Sequence, residues 1–239
     1  DDIINYVRNV FPPLANSTGI VTQGDSVQRS NVARTKFRLD GSGVKVGVLS
    51  DSYNLLGGEA QDIATGDLPA GVQTGASVNG MEVNWDNSPY GSDEGRAMLQ
   101  IVHDVAPGAD LAFRTGFISE SDFARGILDL YHYAGSDVIV DDITYITEPF
   151  YRNGLVSQAI DSVTGQGVTY FTSAGNFGTD GWEDVFTPGS GSDQNRHDFG
   201  KNGDILQRIS LEKGTYTIVL QWDDDFYSDE PTGGSSPVG

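Results

Sequence analysis

Four short polar runs carry the residue types that do acid–base or nucleophilic chemistry: Ser50-Asp51-Ser52, Asp93-Glu94, Asp141-Asp142 and Ser173-Ala174-Gly175-Asn176. Glu94 is the most informative of them. Ala97, Met98, Ile101, Val102 and Val105 follow it at +3, +4, +7, +8 and +11, an apolar stripe with Glu94 at its head on the core side. A carboxyl there is pulled two ways, because desolvation raises its pKa while a helix N-terminus favours its charge. Such a Glu makes a good general base or acid, and a first-turn Glu is also an ordinary complement to the helix dipole. Asp51 reads as a functional carboxylate or as a turn or helix cap. Asp141 and Asp142, like charges at a strand end, suit a metal, an acid of raised pKa or a solvated edge. Asn176 presents a side-chain amide from a sharp turn.

The three histidines do not extend this set. His103 stands nine residues after Glu94, about two and a half turns down the same helix, so it reads as structural. His132 and His197 have no partner at a recognisable spacing, and neither a His-x-x-x-His zinc motif nor a Gly-x-x-x-x-Gly-Lys phosphate loop occurs. In the acidic run from Trp222, residues Asp223, Asp224 and Asp225 read as solvated loop or as oxygen ligands for a structural calcium; no other cofactor is called for.

The elements that must position these residues alternate. Gly41–Asn54 contains a strand with both faces largely apolar around Val44, Val46 and Val48, as in a parallel strand covered on both sides. Residues 55–80 read as loop and Met81–Trp85 as a strand. Gly91–Ala109 reads as a helix capped by Ser92 or Asp93 and stopped at Pro107-Gly108. Then follow a strand at Ala109–Phe113, a helix at Ser119–Ala134, a strand at Asp137–Val140, a helix at Gly154–Thr164 and a strand at Gly167–Thr172. This alternation predicts an α/β fold, a parallel sheet with helices on both faces, and ligands beyond the carboxyl ends of its strands, where the four polar runs fall. A small antiparallel β module follows, as a hairpin of Asp204–Leu211 and Thr215–Trp222 around Gly214. The expected organisation is an N-terminal helix and lead-in over 1–40, with Ile3, Ile4, Val7 and Val10 on one face, a core over 41–180, and a β-rich insertion or accessory module with an acidic tail over 181–239.

Composition narrows the function classes. The chain has 239 residues, 34 Asp plus Glu against 14 Lys plus Arg, and a formal charge of −20. That charge argues against nucleic acid and against an anionic membrane surface, both of which need clustered cations. No stretch approaches 18 apolar residues, so no membrane insertion is expected. A surface of this charge repels its own copies and favours a monomer. The chain has no Cys, which removes disulfide and thiolate chemistry. An acidic, Gly-rich, Cys-free composition points to a secreted or cell-surface protein of bacterial exported type.

Three of these segments together resemble the subtilase superfamily of serine peptidases, over residues 41–178. GSGVKVGVLSDS resembles the strand that ends in the family's catalytic Asp, DEGRAMLQIVHDVAPGADL its second motif, and YFTSAGNFG the segment with the oxyanion Asn. An ungapped match sets Ser50 at the catalytic Asp position, and a bulge at the strand end restores Asp51. Where subtilisins have His, this chain has Glu94, which resembles the Glu-based sedolisins; the Asp that sedolisins place four residues later is Met98 here, and Asn176 stands where they use Asp.

The resemblance implies a secreted endopeptidase acting on peptide or protein substrates. Its catalytic residues would be Asp51, Glu94 and Asn176, with Asp51, Asp93 or Asp142 as the acid paired with Glu94. The family's Gly-Thr-Ser nucleophile motif does not occur in residues 177–239, so the serine is expected beyond Gly239, with this chain alone inactive. The alternatives are an inactive subtilase-like binding module and a calcium-binding surface or adhesion domain.

Overall fold

A computed structural model describes residues 14–15, 23–178, 180–200 and 202–223. Its centre is a four-stranded parallel sheet of β2 (Lys45–Ser50), β5 (Asp110–Thr115), β6 (Val138–Asp141) and β8 (Thr169–Thr172), in the order β5-β2-β6-β8. Two short antiparallel pairs stand apart from it. One joins β1 (Leu14–Ala15) to β7 (Ile143–Thr144), and the other joins β3 (Gly75–Val78) to β4 (Met81–Asn84). The expected α/β class is observed, with a parallel sheet flanked by helices.

Strand alternation sorts the sheet into two faces. Val46 and Val48 of β2, Leu111 and Phe113 of β5, and Val138 and Val140 of β6 pack with Met98, Leu99 and Val102 of α4 (Glu94–Val105). On the opposite face, Leu49, Ala112 and Ile139 pack with α5 (Glu120–His132) and α6 (Leu155–Thr164) through Phe123, Ile127, Leu130, Val156 and Val163. Burial on both sides explains why β2 lacks an apolar-polar alternation. α5 starts where its Ser-Glu-Ser-Asp opening predicts, with Ser119 Oγ accepting from Asp122 N at 3.2 Å.

The core stripe of α4 is rotated from the one read in the sequence. Leu99 is fully buried, whereas Ile101 is 42% exposed. Gly95 sets the rotation, since a Cβ there would lie 2.2 Å from the Phe113 ring; the helix rests on β5 at its glycine. Glu94 nonetheless lies on the buried side.

Several other expectations are corrected. Residues 23–40 hold α1 (Gly24–Val27) and α2 (Ser30–Phe37) in place of loop. Neither helix has a buried residue, so no apolar stripe signals them. What anchors α2 is Arg34, which pairs with Asp25 at 2.5 Å and donates to the α4 carbonyls of Asp104 and Val105. The amphipathic helix read around Ile3, Ile4, Val7 and Val10 lies outside the described residues. Residues 55–80, read as loop, contain α3 (Glu59–Thr65) and β3.

The hairpin expected over 204–222 is not formed: residues 202–222 hold no strand. Its alternating apolar residues Leu206, Ile209, Leu211, Ile218 and Leu220 are all exposed, and a two-stranded ribbon without a covering layer is marginal in water. The chain divides into two compact units, one of which holds the parallel sheet and takes in Gln221, while the other spans Asn176–Leu220. The second unit thus starts before residue 181 and ends before the acidic tail. Within it, His197 accepts from Thr187 N through Nδ1 at 2.9 Å and packs among Trp182, Phe186 and Phe199, a structural role for that histidine.

Candidate functional site

The carboxyl ends of β2 and β6 meet the N-terminus of α4, and four of the residues singled out in the sequence meet there. Asp51, one step past the end of β2, is 2% exposed. Its Oδ1 accepts from Ser52 N at 2.5 Å and Glu94 N at 3.0 Å, and its Oδ2 accepts from Ser92 N and from Ser92 Oγ at 2.6 Å. Asp51 therefore caps α4 from another element, satisfying backbone donors that a helix start leaves free. Neither Ser92 nor Asp93, the caps read from the sequence, makes a side-chain bond to the helix start as its own N-cap.

Asp93 turns the chain into the helix in a left-handed conformation, φ 60° and ψ 30°. Its carboxylate accepts from Ser52 Oγ at 2.8 Å, Leu55 N at 2.8 Å, Leu56 N at 3.1 Å and Arg96 at 2.5 Å. Burial opposes its ionisation, but the Arg96 and Ser52 bonds outweigh this and hold the carboxyl below its usual range. Arg96 also donates to Asp62 at 2.7 Å, Tyr53 O at 2.5 Å and Gly57 O at 3.3 Å, tying the loop after β2 and α3 to the first turn of α4. Gly58, at φ 132°, lies against this guanidinium, and a Cβ there would meet it at 2.7 Å.

Glu94 is 6% exposed, and its pKa is pushed up to about 8. Burial is the main cause; next come a hydrogen bond shared with the Asp142 carboxyl and the charges of Asp142 and Asp51. A hydrogen bond between two carboxyls needs a proton on one of them, and this favours protonated Glu94. Register explains why Asp142 is the partner. Leu49 pairs with Asp141 and points, like Ile139, to the α5–α6 face, so the next residue, Asp142, falls on the α4 face beside Ser50. Asp51 reaches Glu94 through the backbone instead, and Asp93 is held by Arg96.

Asp141 faces away and is 3% exposed. It accepts from Tyr170 Oη at 2.6 Å, Thr172 Oγ1 at 2.9 Å and Ile143 N at 3.4 Å. Burial pushes its pKa up to about 6 against these donors. Ionised Asp141 therefore opposes folding: stability is full below the ordinary carboxylate value and falls as pH rises to about 6. Tyr170→Phe removes one donor, moves that range upward and is expected to cost about 1–3 kcal/mol at pH 7.5. Urea unfolding at pH 7.5 and 4.5 checks this, the deficit being smaller at the lower pH. Burial and the charge of Glu120 likewise push Glu148 up to about 7, while Ser157, in the first turn of α6, donates to it. This carboxyl supports α6, whose N-cap Gly154 has no side chain to do so.

Asn176 is exposed and opens the second unit, three residues beyond Ser173, whose N–H donates to Asp141 O at 3.3 Å. Asp223 pairs with Arg152 at 3.5 Å, both side chains being exposed; Asp224 and Asp225 lie outside the described residues. Among the described residues no three His, Asp or Glu side chains are grouped to hold a metal ion. No helix there is long and apolar enough to cross a membrane. The sequence reading missed Arg96, a polar residue inside an otherwise recognised helix start, and took Ser92 for a cap where it instead donates to the capping Asp51. Compared with known proteins, the chain matches no family model and no curated protein.

Proposed function

We propose that the Glu94–Asp142 pair is the general acid–base system of a serine-type endopeptidase whose nucleophile is supplied by sequence beyond Gly239. The observation that carries this reading is a buried Glu94, hydrogen-bonded to the half-buried Asp142 carboxyl, at a helix N-terminus and the carboxyl ends of parallel strands. In this mechanism a serine hydroxyl attacks a peptide carbonyl and passes its proton to Glu94, while Asp142 takes a larger share of the proton the pair already holds. Glu94 then returns a proton to the departing amine. Asp51 and Asp93 position the first turn of α4 and do no proton transfer. The resemblance assigns oxyanion stabilisation to Asn176, an interaction worth roughly 3 kcal/mol in such sites.

The working form of the pair carries one proton, so activity is expected from acidic to neutral pH and falls as the second proton leaves near pH 8. A polypeptide extending past residue 239 is to be treated with a serine-directed fluorophosphonate from pH 3 to 9. Labelling beyond Gly239 that declines above pH 8 supports the reading. Absence of labelling across the range favours an inactive binding module, and labelling that rises to neutrality and stays flat rules out a shared proton.

A further inference from the structure

Beneath the first turn of α4, one rung of the sheet carries three polar side chains on its α4 face. Ser50 pairs with Thr115 across β2 and β5, and Asp142 follows the Leu49–Asp141 rung of β2 and β6. Ser50 falls on that face because Val46 and Val48, two and four residues before it, pack against α4. Thr115 is fully satisfied, donating to Asp51 O at 2.7 Å and accepting from Phe117 N at 3.2 Å. Ser50 differs. It is 0% exposed, and its Oγ has no hydrogen-bond partner; the Glu94 Oε2 atom is likewise buried and unpartnered. A buried hydroxyl with no partner is costly, so a serine used only to fill this place would be inferior to alanine.

We propose that Ser50 is a positioning residue for the Glu94–Asp142 pair, its hydroxyl donating to Glu94 Oε2 across one water or after a turn about Cα–Cβ. A turn of the Ser50 side chain about Cα–Cβ moves Oγ and leaves the backbone untouched, and a single buried water joins two such orphan groups in the ordinary way. Donation to one oxygen of Glu94 stabilises charge on that carboxyl and biases the shared proton toward Asp142, the distribution in which Glu94 is free to accept a proton. The charged groups around the pair are Asp51 beyond β2 and the Asp93–Arg96 ion pair on α4, with no charge from β5 on this rung.

This inference rests on the acid-pair reading above, and one titration separates the two. Carbon-13 NMR of the Glu94 carboxyl in the 239-residue chain is compared for the parent, Ser50→Ala, Ser50→Thr and Asp142→Asn. Ser50→Ala is expected to raise the Glu94 midpoint by about one pH unit, the size of one hydrogen bond to a charged group. Ser50→Thr, which keeps the hydroxyl, is expected to return it to the parent value. If Asp142→Asn shifts Glu94 while Ser50→Ala does not, the pair stands and the role of Ser50 is overturned. If Asp142→Asn leaves Glu94 unmoved, the pair itself is overturned. Should Ser50→Ala not fold, Ser50→Cys, of similar shape with a weak donor, gives the same comparison.

Discussion

On the proposed acid–base role, Glu94→Gln is expected to lower peptidase turnover of a polypeptide extending past residue 239 by about 10²–10⁴-fold, and it is expected to make the 239-residue chain more stable at alkaline pH. The two effects have one origin. Glutamine keeps the size of Glu94 and can donate to ionised Asp142 as the protonated acid does, but it cannot take up a proton. Glu94 has an ordinary value of 4.5 and a folded value pushed up to about 8. The folded state thus binds more protons than the unfolded state between these limits. Its stability is full below about 4.5 and is lost as pH rises to about 8. The glutamine variant escapes that loss. Its advantage should be near zero at pH 4 and on the order of 2 kcal/mol at pH 8.5, a gain of about 4–8 °C in Tm. Thermal unfolding at the two pH values measures it. A stability gain equal at both would assign the effect to packing and not to the proton.

Arg96→Met is expected to be the most destabilising single change near the site, with a loss of about 3–5 kcal/mol and roughly 6–20 °C in Tm. The reason lies in what it leaves behind. The Asp93 side chain is 2% exposed and its partner guanidinium 14% exposed, so removing the cation leaves a buried, uncompensated charge. Three further partners of Arg96, in the 53–57 loop and α3, lose their bond at the same time. The pH dependence should reverse sign. In the parent, Asp93 has a lowered pKa, so its contribution is present above the ordinary carboxylate value and lost as pH falls through the folded value. In Arg96→Met, burial dominates, and acid should restore stability by protonating Asp93. Adding Asp93→Asn should recover part of the loss at neutral pH, and calorimetry of the single and double variants checks both statements.

The α/β architecture was legible because strands buried on both faces and amphipathic helices leave different periodicities. The same reasoning failed at residues 204–222, where alternation is present but no layer covers it. Glu94 could be singled out from its place at the head of α4, even though the core stripe centres on Gly95 and Leu99 and leaves Ile101 outside. Its partner could not. Two adjacent aspartates face opposite sides of a sheet, and only the pairing of Leu49 with Asp141 decides that Asp142 is the one beneath α4. That Asp51 caps α4 depends on Ser92 and the backbone of Glu94, some 40 residues away, which local sequence does not show. Arg96 had no signal at all, since its partners are gathered from the 53–57 loop, α3 and the turn before α4 only by folding.

The most direct test of the central claim is the titration of the Glu94 carboxyl, followed by carbon-13 NMR in the parent chain and in Asp142→Asn. A shared proton requires a midpoint near 8 in the parent that moves down when the neutral amide replaces the neighbouring acid. A Glu94 that titrates at the ordinary value near 4.5, unmoved by Asp142→Asn, would contradict it.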